Sequence, residues 1–260
     1  MSARYDCTDA AQRVTGLAEA AASLRKGDLA VMPTDTVYGL AADAFSPPAV
    51  TALLTAKDRG RQMPPPVLVG TVRAATALVE DLNVFGKDLI DEFWPGGLTL
   101  VLRANRNLIW DLGDTKGTVA VRMPLHEIAL ELLKETGPLA VSSANLSGAP
   151  PATTADDAEA QLGEAVAVYL DGGPCSGDVP STIVDLTGPV PKLLRAGVIS
   201  VARLREVVTL AVDDSMLDED AAPPGQDATP PDAGGAVPDA TGAPPDGGEG
   251  PPDGDAPAPE

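Results

Sequence analysis

Two polar clusters interrupt an otherwise apolar stretch of chain: Lys57-Asp58-Arg59 and Ser142-Ser143-Ala144-Asn145-Leu146-Ser147-Gly148. Lys57 and Arg59 supply an ammonium and a planar guanidinium fork, while Ser143 and Asn145 supply neutral donors that approach an oxyanion closely. Together the clusters have the chemistry of an anion site, and nucleotide phosphates are its natural ligand. Taken singly, each has an equally good plain reading, as surface charges near a helix end and as a polar turn.

The elements that must position these residues follow from pattern. Residues 9–26 are Ala-rich with helical spacing and stop at Gly27. Leu29 to Met32 reads as a buried strand, and Pro33 with Thr34 to Leu40 as the loop that follows it. Pro47 to Ala56 is a short helix with Pro at its start. Its C-terminal end delivers Lys57 and Arg59, where positive charge suits the helix dipole. Val67 to Val69 is a strand, Thr71 to Leu78 and Val84 to Phe93 are helices, and Trp94-Pro95-Gly96-Gly97 turns into the strand Leu98 to Leu102. Thr118 to Arg122 is a strand, Pro124 to Leu133 a helix, and Leu139 to Val141 a buried strand that runs into the Ser/Asn cluster. Strands at 165–170, 181–186 and 192–194 and a helix at 201–207 complete the pattern. Alternating elements predict an α/β fold, a single domain with a twisted mixed β-sheet flanked by helices.

Composition narrows the function. The 260-residue chain carries a net charge of -20. Residues 213–260 hold 13 acidic and no basic side chains, which leaves the rest at about -7. That segment is Pro, Gly, Ala and Asp with almost no large apolar residue, so it predicts a disordered acidic tail after a catalytic domain of residues 1–212. No apolar run approaches the ~20 residues that span a bilayer, and no signal segment is read, so the expected location is the cytoplasm without membrane association. Cys7 and Cys175 form no metal-binding or disulfide framework and read as free thiols; no metal ligands are assigned. The single histidine, His126, reads as structural or solvent-facing, which removes most of the case for a Ser-His or Cys-His hydrolase. Neither a P-loop nor a dinucleotide fingerprint occurs. With 3% aromatic residues and an acidic balance, stable direct tRNA binding is not expected. A nucleotide-using transferase with electrostatic catalysis is left.

Seven ordered motifs carry a specific resemblance: Pro33-Thr34-Asp35-Thr36-Val37-Tyr38-Gly39-Leu40, Lys57-x-Arg59, Trp94-Pro95-Gly96-Gly97-Leu98-Thr99, Val119-Ala120-Val121-Arg122-Met123-Pro124, Ser143-Ala144-Asn145-Leu146-Ser147-Gly148, Ser181-Thr182-Ile183-Val184-Asp185 and Leu194-Arg195-Ala196-Gly197. From about Asp9 to Val208 the chain resembles the YrdC/TsaC family of threonylcarbamoyl-AMP synthases. The resemblance implies a nucleotidyltransferase that joins L-threonine, bicarbonate or carbon dioxide, and ATP into L-threonylcarbamoyl-adenylate, with pyrophosphate and water released. It also implies Mg²⁺ as a helper, and a downstream tRNA threonylcarbamoyltransferase complex of TsaD/TsaB/TsaE type that modifies tRNAs reading codons that start with A.

Carried onto this sequence, the resemblance makes Lys57 and Arg59 the catalytic phosphate-holding pair. It adds Thr118, Ser143, Asn145, Thr153 and Arg195 as ATP contacts, and sets L-threonine between Thr36, Arg122 and Ser181. Arg122 ends an apolar strand, and a buried guanidinium needs a partner, for which the amino-acid carboxylate is the natural choice. Pro33, Tyr38 and the Trp94 to Gly97 turn are expected to shape loops. Two departures stand out: Gly60 and Met63 replace the family's usual proline and polar residue, which removes one side-chain contact to ATP. Rival readings are an RNA-binding protein of the same fold, a paralogue that has lost threonine selection, and a carbamoyl-transfer module of hydrogenase-maturation type.

Overall fold

The first strand, β1 (Ala3–Asp6), leads through the N-cap Asp9 into α1 (Ala10–Lys26). The Asp9 carboxylate accepts from the backbone N–H groups of Ala11 and Gln12, and Gly27 closes the helix in the left-handed conformation, φ 92°. The computed structural model describes residues 2–175 and 177–213. The tail expected beyond residue 212 lies outside them, apart from Asp213.

The order continues β2 (Ala30–Met32), β3 (Gly39–Asp43), α2 (Pro47–Ala56), β4 (Val67–Leu68), α3 (Val72–Leu78), α4 (Asn83–Phe93), β5 (Leu98–Arg103), β6 (Thr118–Arg122), α5 (Glu127–Thr136), β7 (Leu139–Ser143), α6 (Ala155–Leu162), β8 (Val168–Asp171), β9 (Thr182–Asp185), β10 (Lys192–Arg195) and α7 (Val201–Arg205). The strands form one mixed sheet of ten, in the order β1-β8-β2-β3-β7-β4-β6-β5-β9-β10. The α/β expectation holds.

Several boundaries differ from the sequence pattern. The helix expected from Pro124 begins at Glu127, because the carboxylate of Asp35 accepts the Leu125 N–H and His126 is extended, φ -147°. β1, β3 and α6 lie outside the expected elements, and β3 takes Gly39 and Leu40 out of the expected loop: Gly-Leu-Ala-Ala-Asp has poor strand propensity and is strand because β2 and β7 flank it. The strand expected at 165–170 starts at Val168, after a 3₁₀ turn at Gly163–Ala165.

Two cores flank the sheet. The larger takes Val50 and Leu53 of α2, Leu89 and Ile90 of α4, Ala158 of α6 and Leu204 of α7, with Leu100 and Val121 from the strands. The smaller takes Leu24 of α1 and Leu132 of α5 with Met32, Leu139 and Leu170. The period-two alternation of strands positions the site. Along β5, β6 and β9, Leu98, Leu100, Val121 and Val184 enter the larger core, while Thr99, Val101, Ala120, Arg122 and Ile183 face the other way into an open cavity.

Candidate active site

The cavity holds about 410 Å³ and is lined from β5, β6, β7 and β9 together with the segments around Thr36, Arg59, Pro65 and Arg195. Three guanidinium groups reach it: Arg59, Arg122 and Arg195. None of the described residues lining it is Asp or Glu. The ends of three separate segments therefore place cationic donors around one volume, as the ligand-binding ends of α/β sheets do.

Arg122 ends β6 and is 6% exposed. Its Nε donates to Gly96 O at 2.9 Å, Nη1 to Thr36 Oγ1 at 3.1 Å and Nη2 to Asp35 Oδ1 at 2.6 Å. Part of the partnering its burial demands is thus supplied by a carboxylate of the chain itself, Asp35, beside the substrate carboxylate that the sequence reading expects there. Two of its five N–H hydrogens are left for a ligand. Burial pulls the Arg122 pKa down and Asp35 opposes that pull. Thr36 is 2% exposed and is held through its hydroxyl by Arg122 and Thr34.

Arg195 is fastened to Ser181: Nε and Nη2 donate to the Ser181 carbonyl at 3.0 and 2.6 Å, and Nη2 also to Ser181 Oγ at 3.0 Å. Gly197 makes this approach feasible, since a Cβ there would lie 2.5 Å from Pro180 O. Burial lowers the Arg195 pKa, and Arg122 and then Arg59 lower it further, so the three cations share one field. Arg59 donates from Nη1 to Ser142 Oγ at 3.1 Å, while its enclosed Nε has no partner among the described residues. Burial lowers its pKa as well.

Lys57 is placed differently from the expectation. It is 2% exposed and is not among the cavity-lining residues. Its Nζ donates to the carbonyls of Ser143 and Asn145 and, at 3.3 Å, to Asn145 Oδ1. Burial first and Arg59 second pull its pKa down to about 8. The Asn145 amide nitrogen is committed to Leu146 O and Ala149 O, both at 2.8 Å. Lys57 and Asn145 therefore brace the loop after β7, and Ser143 and Thr118 reach the cavity. The Thr118 hydroxyl also donates to Thr115 O at 2.8 Å. Thr153 is not among the lining residues; its hydroxyl points to Asp157 Oδ2 at 3.4 Å, beside the start of α6.

Asp35, Thr99 and Ser142 belong to the site although their types alone did not single them out. A lone acid between two threonines after a buried strand was the available signal for Asp35. Ser142 was visible as part of the polar cluster, and Thr99 as a hydroxyl in an apolar strand. His126 is half-buried with an enclosed Nδ1 that has no partner among the described residues, and burial lowers its pKa. Met63 is 45% exposed and its N–H is used on Gly60 O at 3.3 Å.

Residues 22–197 match the Sua5/yciO/yrdC family model, described as "Telomere recombination". The chain belongs to this family. It is similar to a Mycobacterium leprae protein named "Putative threonylcarbamoyl-AMP synthase", with 55% identity over 208 residues, 80% of this chain and 94% of that one. A Bacillus subtilis "Threonylcarbamoyl-AMP synthase" is 37% identical over 211 residues, covering 80% of this chain and 61% of that one. The crystal structure of Pyrococcus abyssi Sua5 complexed with L-threonine superposes with a TM-score of 0.74 at 32% identity, and covers 82% of this chain and 62% of that one. The sequence resemblance and the ten-stranded Sua5-like sheet thus agree on one family. No helix among the described residues is long and apolar enough to cross a membrane.

Proposed function

We propose that the protein is a threonylcarbamoyl-AMP synthase, a nucleotidyltransferase that makes L-threonylcarbamoyl-adenylate and pyrophosphate from L-threonine, bicarbonate or carbon dioxide, and ATP, with one water released when bicarbonate is the carbon source. The observation that carries this reading is the meeting of Arg59, Arg122 and Arg195 in one cavity where no carboxylate is found among the described lining residues. Such a site attracts a polyphosphate and an amino-acid carboxylate together, and the names of the relatives agree with that pairing.

The chemistry sets the roles. The neutral amine of threonine adds to carbon dioxide, forming an N–C bond and releasing a proton. A carbamate oxygen then attacks the α-phosphorus, and the bond to pyrophosphate breaks. Arg59 and Arg195 stabilise charge that grows on the leaving pyrophosphate, from a cavity in which donors are already fixed. The free hydrogens of Arg122 take the threonine carboxylate, with Thr36 and Ser181 beside it. Ser143 and Thr118 meet the nucleotide from the β7 and β6 side. Lys57 acts from behind the loop, through its shape and its charge, and Asn145 acts with it. A carbamate is labile in water, which favours a recessed site.

The donor set does not fit a protein-held Mg²⁺, because no carboxylate lines the cavity and no group of three acidic, His or Cys residues suited to a metal occurs among the described residues. No step is assigned to that ion. The product is passed to a tRNA threonylcarbamoyltransferase complex in the cytoplasm. The test is pyrophosphate release from ATP with L-threonine or L-serine, with and without bicarbonate. Release that requires both L-threonine and bicarbonate is expected. ATP binding without such release would overturn the reading.

A further inference from the structure

Thr99 has no role so far. It lies on β5, is 1% exposed and sits in the cavity wall. Among the described residues its hydroxyl has one partner, Ser181 Oγ at 2.8 Å. Ser181 Oγ also accepts from Arg195 Nη2 at 3.0 Å, and Ser181 itself is 6% exposed.

A hydroxyl has one hydrogen and two acceptor positions, so the direction of the bond between Thr99 and Ser181 decides what Ser181 can do. Either direction leaves one hydroxyl hydrogen over; if Ser181 donated, it would be that of Thr99, which at 1% exposure is more enclosed than Ser181 at 6% and bears the larger desolvation penalty. If Thr99 donates, its hydrogen is satisfied and Ser181 Oγ accepts twice, from Thr99 and from Arg195. Both acceptor positions of Ser181 are then filled. Its one hydrogen then has no acceptor among the described residues and is left for a ligand in the cavity.

We propose that Thr99 is a positioning residue that fixes the Ser181 hydroxyl as a hydrogen-bond donor toward an acceptor oxygen of the amino-acid substrate; this rests on the function proposed above. The pair also rejects a donor at that point, because a ligand N–H directed at Ser181 Oγ finds no free acceptor position. The site thereby selects the polarity of the group that enters, as buried hydrogen-bonding sites do.

Thr99→Val keeps the side-chain outline and deletes the donor, while Thr99→Ser keeps the donor. In the pyrophosphate-release assay, Thr99→Val is expected to raise the KM for L-threonine about tenfold while leaving the KM for ATP and kcat within about threefold, as loss of one bond to a charged ligand does. Thr99→Ser is expected to stay within about twofold of the parent enzyme. Ser181→Ala should raise the same KM at least as far, and adding Thr99→Val to it should change nothing more. Equal KM values for Thr99→Val and the parent would overturn the proposal, as would a Thr99→Ser enzyme as impaired as Thr99→Val. Should Thr99→Val not fold, an unchanged L-threonine KM in Ser181→Ala overturns it alone. A parent enzyme that releases no pyrophosphate with L-threonine and bicarbonate refutes the function instead.

Discussion

Lys57 and Arg59 leave the same helix end and finish in opposite conditions. The Lys57 ammonium is enclosed by two carbonyls and an amide oxygen, and every hydrogen it carries has a partner. Arg59 reaches the cavity with one bond, to Ser142, and an Nε that has none among the described residues. The same contrast separates Asn145, whose amide is committed to its own loop, from Ser143, which lines the cavity. Residue type does not tell a brace from a ligand contact; the hydrogen-bond count does. A saturated polar group stabilises its surroundings, and an unsaturated, half-buried cation awaits an anion.

The largest effect expected from this contrast is at Arg59. Arg59→Ala should lower pyrophosphate release by on the order of a hundredfold, as removal of a preorganised donor does, while thermal unfolding hardly moves. A variant that loses stability without losing turnover would reverse the comparison. Lys57→Met should behave the other way. It leaves three oxygen acceptors without their donor and should cost about 2–5 kcal/mol of stability, read as a clear fall in Tm, with activity lost through the loosened loop. An unchanged Tm would show that Lys57 is not the brace.

The same brace gives a pH dependence. With its pKa pulled down to about 8, Lys57 is an ammonium with three hydrogens for three acceptors below that pH. Above it, the amine keeps two and the buried charge is gone; because the folded pKa lies below the ordinary lysine value, this group's contribution to stability should rise as pH rises from about 8 toward 10.5, read as a rise in Tm. A flat profile across that range would break the assignment. The smallest effect is at Thr153, which lies outside the cavity lining: Thr153→Ala should stay within about twofold of the parent, as surface changes usually do. A large rise in the ATP KM would bring Thr153 into contact with the nucleotide.

Much of the molecule could be read before any coordinates. The caps of α1, the Pro start of α2 and the strands at Leu98 and Thr118 follow local rules of periodicity and capping, and they appear where those rules put them. β1, β3 and α6 lie outside the elements read from the pattern, because their residues gain their state from neighbours. Gly39 is a strand residue with a Cβ position only 2.7 Å from Val141 Cγ1, a fit that exists only once β3 lies against β7. The Ser/Asn loop and the arginines were visible as residue types. Asp35 beneath Arg122 was not, because its importance comes from pairing with a residue 87 positions away.

The sequence by itself determined the class of fold, the family and the cast of charged and hydroxyl side chains. Periodicity, capping and motif order are local properties, and local properties survive in one dimension. Only the tertiary structure decided which of those side chains are spent on the protein and which are free for a ligand. That division depends on acceptors brought together from distant strands, and on the cost of leaving any buried polar group without one.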